Sequence, residues 1–192
     1  MIDQTNLQVP VRYFDIVKAT EENGFTMPSD ILTCSLLRTL AAAKPKGNFL
    51  ELGTGTGLST AWILDGMDDD STLISLDNNE TLLQIAERFI GQDNRLNLVH
   101  SDGAEWVAEN FGKKFDYIFA DTWHGKYLLL EEVLEMIHKG GLYIVDDMLP
   151  QPNWPEGHQE KAIHFVKFLE SRSDLVLTKL NWATGIIIAV KQ

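Results

Sequence analysis

The run Phe49-Leu50-Glu51-Leu52-Gly53-Thr54-Gly55-Thr56-Gly57 decides how the rest of the chain is read. A short apolar strand gives way to three glycines at alternate positions and then, from Ser59, to a helical pattern. Glycine lacks a Cβ, so at such a strand-to-helix turn the backbone can reverse sharply and come close to a bound molecule. A turn of this kind can also serve only to join a buried strand to its helix, so a second signal is needed. The next strand ends Ser75-Leu76-Asp77, which places a carboxylate twenty residues after Gly57, where it can accept hydrogen bonds from both hydroxyls of a ribose. A dinucleotide is the competing ligand, with the fingerprint G-x-G-x-x-G. Here the spacing is G-x-G-x-G, Leu58 stands where the third glycine would fall, and some 47 residues precede the first strand.

Outward from this run, strands and helices alternate. Strands are predicted at Phe49 to Leu52, Leu73 to Leu76, Leu96 to His100, Phe115 to Ala120 and Leu142 to Val145. Between them lie helical patterns: one from Ser59, one on Leu82, Ile85, Ala86 and Phe89, one on Ala104, Val107, Ala108 and Phe111, and one on Leu130, Val133, Leu134 and Ile137 ending at Gly140. Repeated βα units predict an α/β fold with a parallel sheet covered on both faces. Two helices precede the first strand, one on Tyr13, Ile16, Val17 and Thr20, the other after Ser29 as N-cap. The chain is expected to be a single domain, with residues 1–46 covering the ligand side of a core at 47–192. After the loop Met148 to Gly157 a last helix turns Ile163, Val166 and Leu169 inward. The strands Leu175 to Leu180 and Gly185 to Val190 follow, joined too closely for anything but antiparallel pairing.

The chain has 192 residues, and its 16 Lys and Arg against 28 Asp and Glu give a net charge of -12. Such a charge, with no basic run, argues against a nucleic-acid partner. No apolar run is long enough to span a bilayer, and Met1 to Pro10 lack the pattern of a secretion signal, so no membrane partner and a cytoplasmic location are expected. The one cysteine, Cys34, sits in an apolar helical pattern and reads as a core residue. The expected partner is a small-molecule acceptor; monomer and homodimer both remain open.

Acidic residues end the fourth and fifth strands, in Ala120-Asp121-Thr122-Trp123-His124-Gly125-Lys126-Tyr127-Leu128 and in Val145-Asp146-Asp147-Met148. The carboxyl ends of parallel strands border the crevice where open α/β sheets bind ligands. Three carboxylates converging there would raise one another's pKa, and a hard divalent cation such as Mg²⁺ would relieve the repulsion. The residues also read as loop or cap positions without metal. Trp154 can cover an apolar substrate or plug the last helix; Trp62, Trp106 and Trp182 read as scaffold. His100, His138, His158 and His164 have no metal-ligand spacing and read as structural or solvated.

The run Phe49 to Gly57 resembles motif I of class I S-adenosylmethionine methyltransferases. That resemblance implies a Rossmann-like seven-stranded sheet of order 3-2-1-4-5-7-6 with strand 7 antiparallel. It also implies that Gly53, Thr54, Gly55 and Gly57 wrap the methionine part of S-adenosylmethionine. Asp77, with Asn78 beside it, would hold the ribose, and Asp102, Gly103 and Ala104 would flank the adenine. Ser59 and Glu51 are second-tier contacts, Glu51 equally readable as a loop anchor. The segment D-T-W-H-G-K-Y-L is similar to D-x-W-K-x-R-Y-L of catechol O-methyltransferase, and G-G-L-Y-I-V-D-D to its fifth-strand segment; caffeoyl-CoA O-methyltransferases share the general pattern. This implies O-methylation of a catechol-like or other vicinal dioxygen compound, with Mg²⁺ or Mn²⁺ held by Asp121, Asp146 and Asp147 and with Trp123 near the adenine. His124 replaces the family's base lysine and is expected to take the proton, with Lys126 as a second candidate. Two other readings stay open: a metal-independent methyltransferase using His124 as base, and a protein that binds S-adenosylmethionine without turnover.

Overall fold

The computed structural model describes residues 8–151 and 154–192, so Met1 to Leu7 and residues 152 and 153 of the proline-rich loop lie outside the account. Helices α1 (Tyr13–Asn23) and α2 (Ile31–Ala42) precede the alternating series β1 (Asn48–Leu52), α3 (Leu58–Gly66), β2 (Thr72–Asp77), α4 (Glu80–Ile90), β3 (Leu96–His100), α5 (Gly103–Asn110) and β4 (Phe115–Ala120). Then come α6 (Leu130–Glu135), β5 (Ile137–Val145), α7 (His158–Ser171), β6 (Leu175–Leu180) and β7 (Ile186–Lys191). The strands form one sheet in the order β3-β2-β1-β4-β5-β7-β6. The first five are mutually parallel, and β7 runs antiparallel to both neighbours. This is the Rossmann-like α/β architecture expected from the sequence.

Successive strand side chains point to opposite faces, so near-continuous apolar strands are what a sheet covered on both sides requires. Leu50, Leu52, Ile118, Ala120, Tyr143 and Val145 enter one core, with Val107, Val133 and Phe165 from helices α5, α6 and α7. Phe49, Tyr117, Phe119 and Ile144 enter the other, against Ile16, Leu37, Ile63 and Ala86 from helices α1 to α4. The N-terminal helices thus belong to the same packed body as the sheet.

Three local expectations are corrected. Ile137 to Gly140 belong to β5, not to the preceding helix, which ends at Glu135; Ile137 pairs with Phe115, and an irregularity between Phe115 and Tyr117 absorbs the residues up to Leu142. Ile137 is buried either way, so burial alone did not separate the two states. In α7 the inward residues are Ala162, Phe165 and Leu169, while Ile163 is 45% exposed. The N-cap of α2 is Asp30, whose carboxylate accepts from the Leu32 N–H at 2.7 Å; Ser29 is released for another task. Among the described residues, no helix is long and apolar enough to cross a membrane.

Candidate active site

A cleft of about 970 Å³ opens at the carboxyl ends of β1, β2, β4 and β5. Its floor at one end is the glycine loop. Gly53 (φ 103°) lies so close to β4 that an added Cβ would stand 2.9 Å from the Asp121 carbonyl oxygen, which only glycine tolerates. Gly55 (φ 53°) faces the cleft and donates its N–H to the Asp77 carboxylate at 2.8 Å, while the other Asp77 oxygen accepts from the Asn79 N–H. A carboxylate has about four acceptor sites, so Asp77 retains capacity for a ribose. Helix α1 is tied to the loop by the buried Thr20–Thr56 hydroxyl pair at 2.7 Å.

Several of the expected cofactor residues line the cleft: Gly53, Thr54, Gly55, Ser59, Asp77 and Asn78, then Gly103, Asp121 and Trp123. Four do not. Glu51 is fully buried, its carboxylate accepting from Ser59, Thr60 and Ser75, so it anchors the loop to α3 and β2 and touches no ligand. Burial pushes its pKa up to about 7 against these three hydrogen bonds. Gly57 is a packing position: an added Cβ would meet Ala86 of α4 at 2.8 Å. Asp102 is the N-cap of α5 and accepts from the Ala104 and Glu105 N–H groups, which places Ala104 inside the helix.

The loop after β4 is where expectation and structure part most. The Trp123 carbonyl accepts the N–H groups of Lys126, Tyr127 and Leu128, and Gly125 (φ 80°) reverses the chain. The buried Tyr143 hydroxyl donates to the Gly125 carbonyl and pins the turn to β5. Two side chains flanking Gly125 therefore diverge. The His124 ring packs on Gly103, since an added Cβ there would lie 2.6 Å from its Cγ and Nδ1. Lys126 is only 6% exposed, lines the cleft, and donates from Nζ to the Asp146 carbonyl at 2.5 Å. Trp123 also lines the cleft and meets Tyr127 (5.8 Å between ring centres) and His158 (6.1 Å), with Lys161 Nζ 4.5 Å from its centroid.

Asp121 and Asp146 do come together. Burial pushes Asp121 well above the usual carboxylate range, the Asp146 charge adds to this, and the Lys126 ammonium and the Ser29 hydroxyl (2.9 Å) oppose it. Burial also raises Asp146, against a hydrogen bond from Thr184. Asp147 lines the same cleft, and its charge adds to the rise of both Asp121 and Asp146. Its backbone is left-handed (φ 57°), a conformation that Asp and Asn tolerate better than most residues, and its N–H donates to Asp146. Among the described residues, no group of three or more His, Cys, Asp or Glu side chains is arranged to hold a metal ion. With a buried ammonium beside the carboxylate pair, this donor set does not fit the Mg²⁺ or Mn²⁺ site that the sequence resemblance implies.

Sequence reasoning passed over three further contributors. Phe25 lies over Gly55 (3.4 Å to an added Cβ), Ser29 holds Asp121, and His158 bonds Tyr127 at 3.3 Å while Trp154 packs on its ring at 4.6 Å. Burial and the Lys126 and Lys161 charges lower the His158 pKa. Its Nδ1 is buried without a partner among the described residues. No local pattern marked these residues, because each reaches the cleft from a segment remote in sequence.

Fold and cleft together define a class, the S-adenosylmethionine-type methyltransferase with its glycine loop and acidic second-strand end. Residues 50–148, more than half of the chain, match the family described as "Methyltransferase domain", and the chain belongs to it. Catechol O-methyltransferase B of Danio rerio is 29% identical over 126 residues, 60% of this chain and 47% of that one. The chain spans about half the length of the first curated relatives it matches. The O-methyltransferase from Bacillus cereus, solved in complex with SAH, superposes with a TM-score of 0.85 at 17% identity, covering 98% of this chain and 94% of that one. The O-methyltransferase TomG from Streptomyces achromogenes, solved with SAM, superposes at 0.82, with 17% identity and coverage of 98% and 92%. At these identities the superpositions establish the fold.

Proposed function

We propose that this chain transfers a methyl group from S-adenosylmethionine to a hydroxyl oxygen of an aromatic small molecule, acting as a single domain in which α1, α2 and the segment between them cover the cleft. The carrying observation is one cleft lined by the glycine loop and Asp77 and also by the half-buried Asp121 and the buried Asp146, with Trp123, Tyr127 and Trp154 in its walls. The catechol-like acceptors of related enzymes suit such aromatic walls. Methyl transfer forms an O–C bond as the S–C bond breaks in line, the sulfonium becomes a thioether, and the acceptor loses a proton. Asp121, which lines the cleft and is raised well above the usual carboxylate range by burial and the Asp146 charge, is suited to take that proton. His124, at the adenine end, is suited to hold the cofactor. The charge of -12 supports a small-molecule enzyme over one acting on nucleic acid.

The test is calorimetric titration with S-adenosylhomocysteine, then single-turnover methyl transfer to a panel of phenols and catechols. Micromolar binding and a methylated phenolic oxygen are expected. Binding without transfer to any member of the panel would leave the non-catalytic reading in its place, and preference for a dinucleotide would remove the cofactor assignment.

A further inference from the structure

Deepening that reading, we propose that Lys126 is the cationic anchor of the acceptor subsite: its ammonium holds the acceptor oxygen where a divalent cation would otherwise sit, so that turnover needs no added metal.

Three observations converge on this residue. Lys126 is 6% exposed and lines the cleft together with Asp121 and Asp146. A lysine so deeply buried is rare unless its charge has a use or a partner. It has no carboxylate partner within salt-bridge distance among the described residues, and its recorded hydrogen bond, from Nζ to the Asp146 carbonyl at 2.5 Å, uses one of three donors. Two N–H groups remain for an acceptor oxygen at the end of the cleft where Asp121 stands. The turn that holds Lys126 is also rigid, since Tyr143 pins Gly125, and an added Cβ at Gly125 would strike Leu52 at 2.5 Å.

The Lys126 ammonium already places a fixed positive charge in the part of the cleft lined by Asp121 and Asp146. A divalent ion entering beside the Asp121 and Asp146 pair would have to do so against this fixed positive charge, and one further carboxylate at Asp147 is not arranged to help. In the reaction, the acceptor hydroxyl gives its proton to a carboxylate lining that end of the cleft. Negative charge collects on the oxygen, and the Lys126 ammonium stabilises it by two charge-assisted hydrogen bonds. The methyl group then passes from sulfur to that oxygen.

The experiment pairs Mn²⁺ titration, followed by electron paramagnetic resonance, with single-turnover rates in Lys126→Met and Lys126→Arg. Wild type is expected to show no saturation at millimolar Mn²⁺ and to keep its rate after exhaustive chelation. Lys126→Met is expected to gain a saturable Mn²⁺ site and to lose about 10²–10³-fold in rate with S-adenosylhomocysteine affinity unchanged, as when one oxyanion donor is removed. Lys126→Arg, which keeps the charge, should still exclude Mn²⁺. Micromolar Mn²⁺ binding by wild type, or activity abolished by chelation, overturns the proposal even if Lys126→Met fails to fold. Failure of the methyltransferase reading shows separately, as absent S-adenosylhomocysteine binding, and leaves the Mn²⁺ titrations interpretable.

Discussion

The His124 imidazole lies against Gly103, so closely that a methyl group on Gly103 would stand 2.6 Å from two of its ring atoms. This contact ties the loop after β4 to the start of α5, where the proposed function places the adenine. His124→Ala should therefore weaken S-adenosylhomocysteine binding by about tenfold, the equivalent of about 1.4 kcal/mol of lost contact. The limiting rate should change little. A rate loss of several orders of magnitude with unchanged cofactor affinity would return His124 to the role of base.

Asp77 joins β2 to the glycine loop through the Gly55 N–H and has acceptor sites left for a ribose. Removing a charged hydrogen-bond acceptor costs about 1.5–3 kcal/mol, so Asp77→Ala should weaken S-adenosylhomocysteine about 10- to 100-fold. Calorimetry decides it, and equal affinities for variant and wild type would withdraw the ribose assignment.

The alternating strands and helices were legible from periodicity, the strand order from the resemblance of Phe49 to Gly57 to class I methyltransferases, and the placement of the cleft from glycine spacing and strand-end carboxylates. The loop from Trp123 to Leu128 was not. Its alignment with a family segment is sound, yet which of His124 and Lys126 turns inward depends on the left-handed Gly125, on three hydrogen bonds to the Trp123 carbonyl and on Tyr143, sixteen residues beyond Tyr127. Likewise Ser29 looked like an N-cap because the helix start and the residue type agreed, while its true partner, Asp121, is ninety-two positions away. Asp147 carries a parallel lesson, since its acidic character satisfied the expected ligand pattern while its backbone conformation accounts for the residue type without a metal.

Trp154 packs on His158 and lines the cleft. Trp154→Ala should raise the KM for an aromatic acceptor by about tenfold or more, in keeping with the energy of a buried aromatic contact, and leave cofactor binding as it is. Steady-state kinetics with both substrates varied gives the answer. A change confined to the cofactor's KM would place Trp154 on the other side of the site.

Glu51 supplies a prediction for stability, because it is buried at the junction of β1, α3 and β2 with its pKa pushed from 4.5 up to about 7. Between these two values the native state keeps a proton that the unfolded chain releases, so the native state binds more protons and stability must fall as pH rises. The contribution is fully present below about pH 4.5 and lost as pH passes through about 7, a span equivalent to about 3 kcal/mol. Glu51→Gln cannot titrate, so its unfolding free energy should decline less steeply between pH 5 and pH 8 than that of wild type. Asp121 and Asp146 are raised in the same sense and remain in both proteins, which is why the difference between the two slopes, not either slope alone, carries the result. The amide offers one oxygen to the three hydroxyls of Ser59, Thr60 and Ser75 that now converge on a carboxylate, so the variant should be the less stable protein at pH 5. Urea unfolding at several pH values measures both effects, and parallel curves would mean that Glu51 is ionised in the folded protein throughout that range.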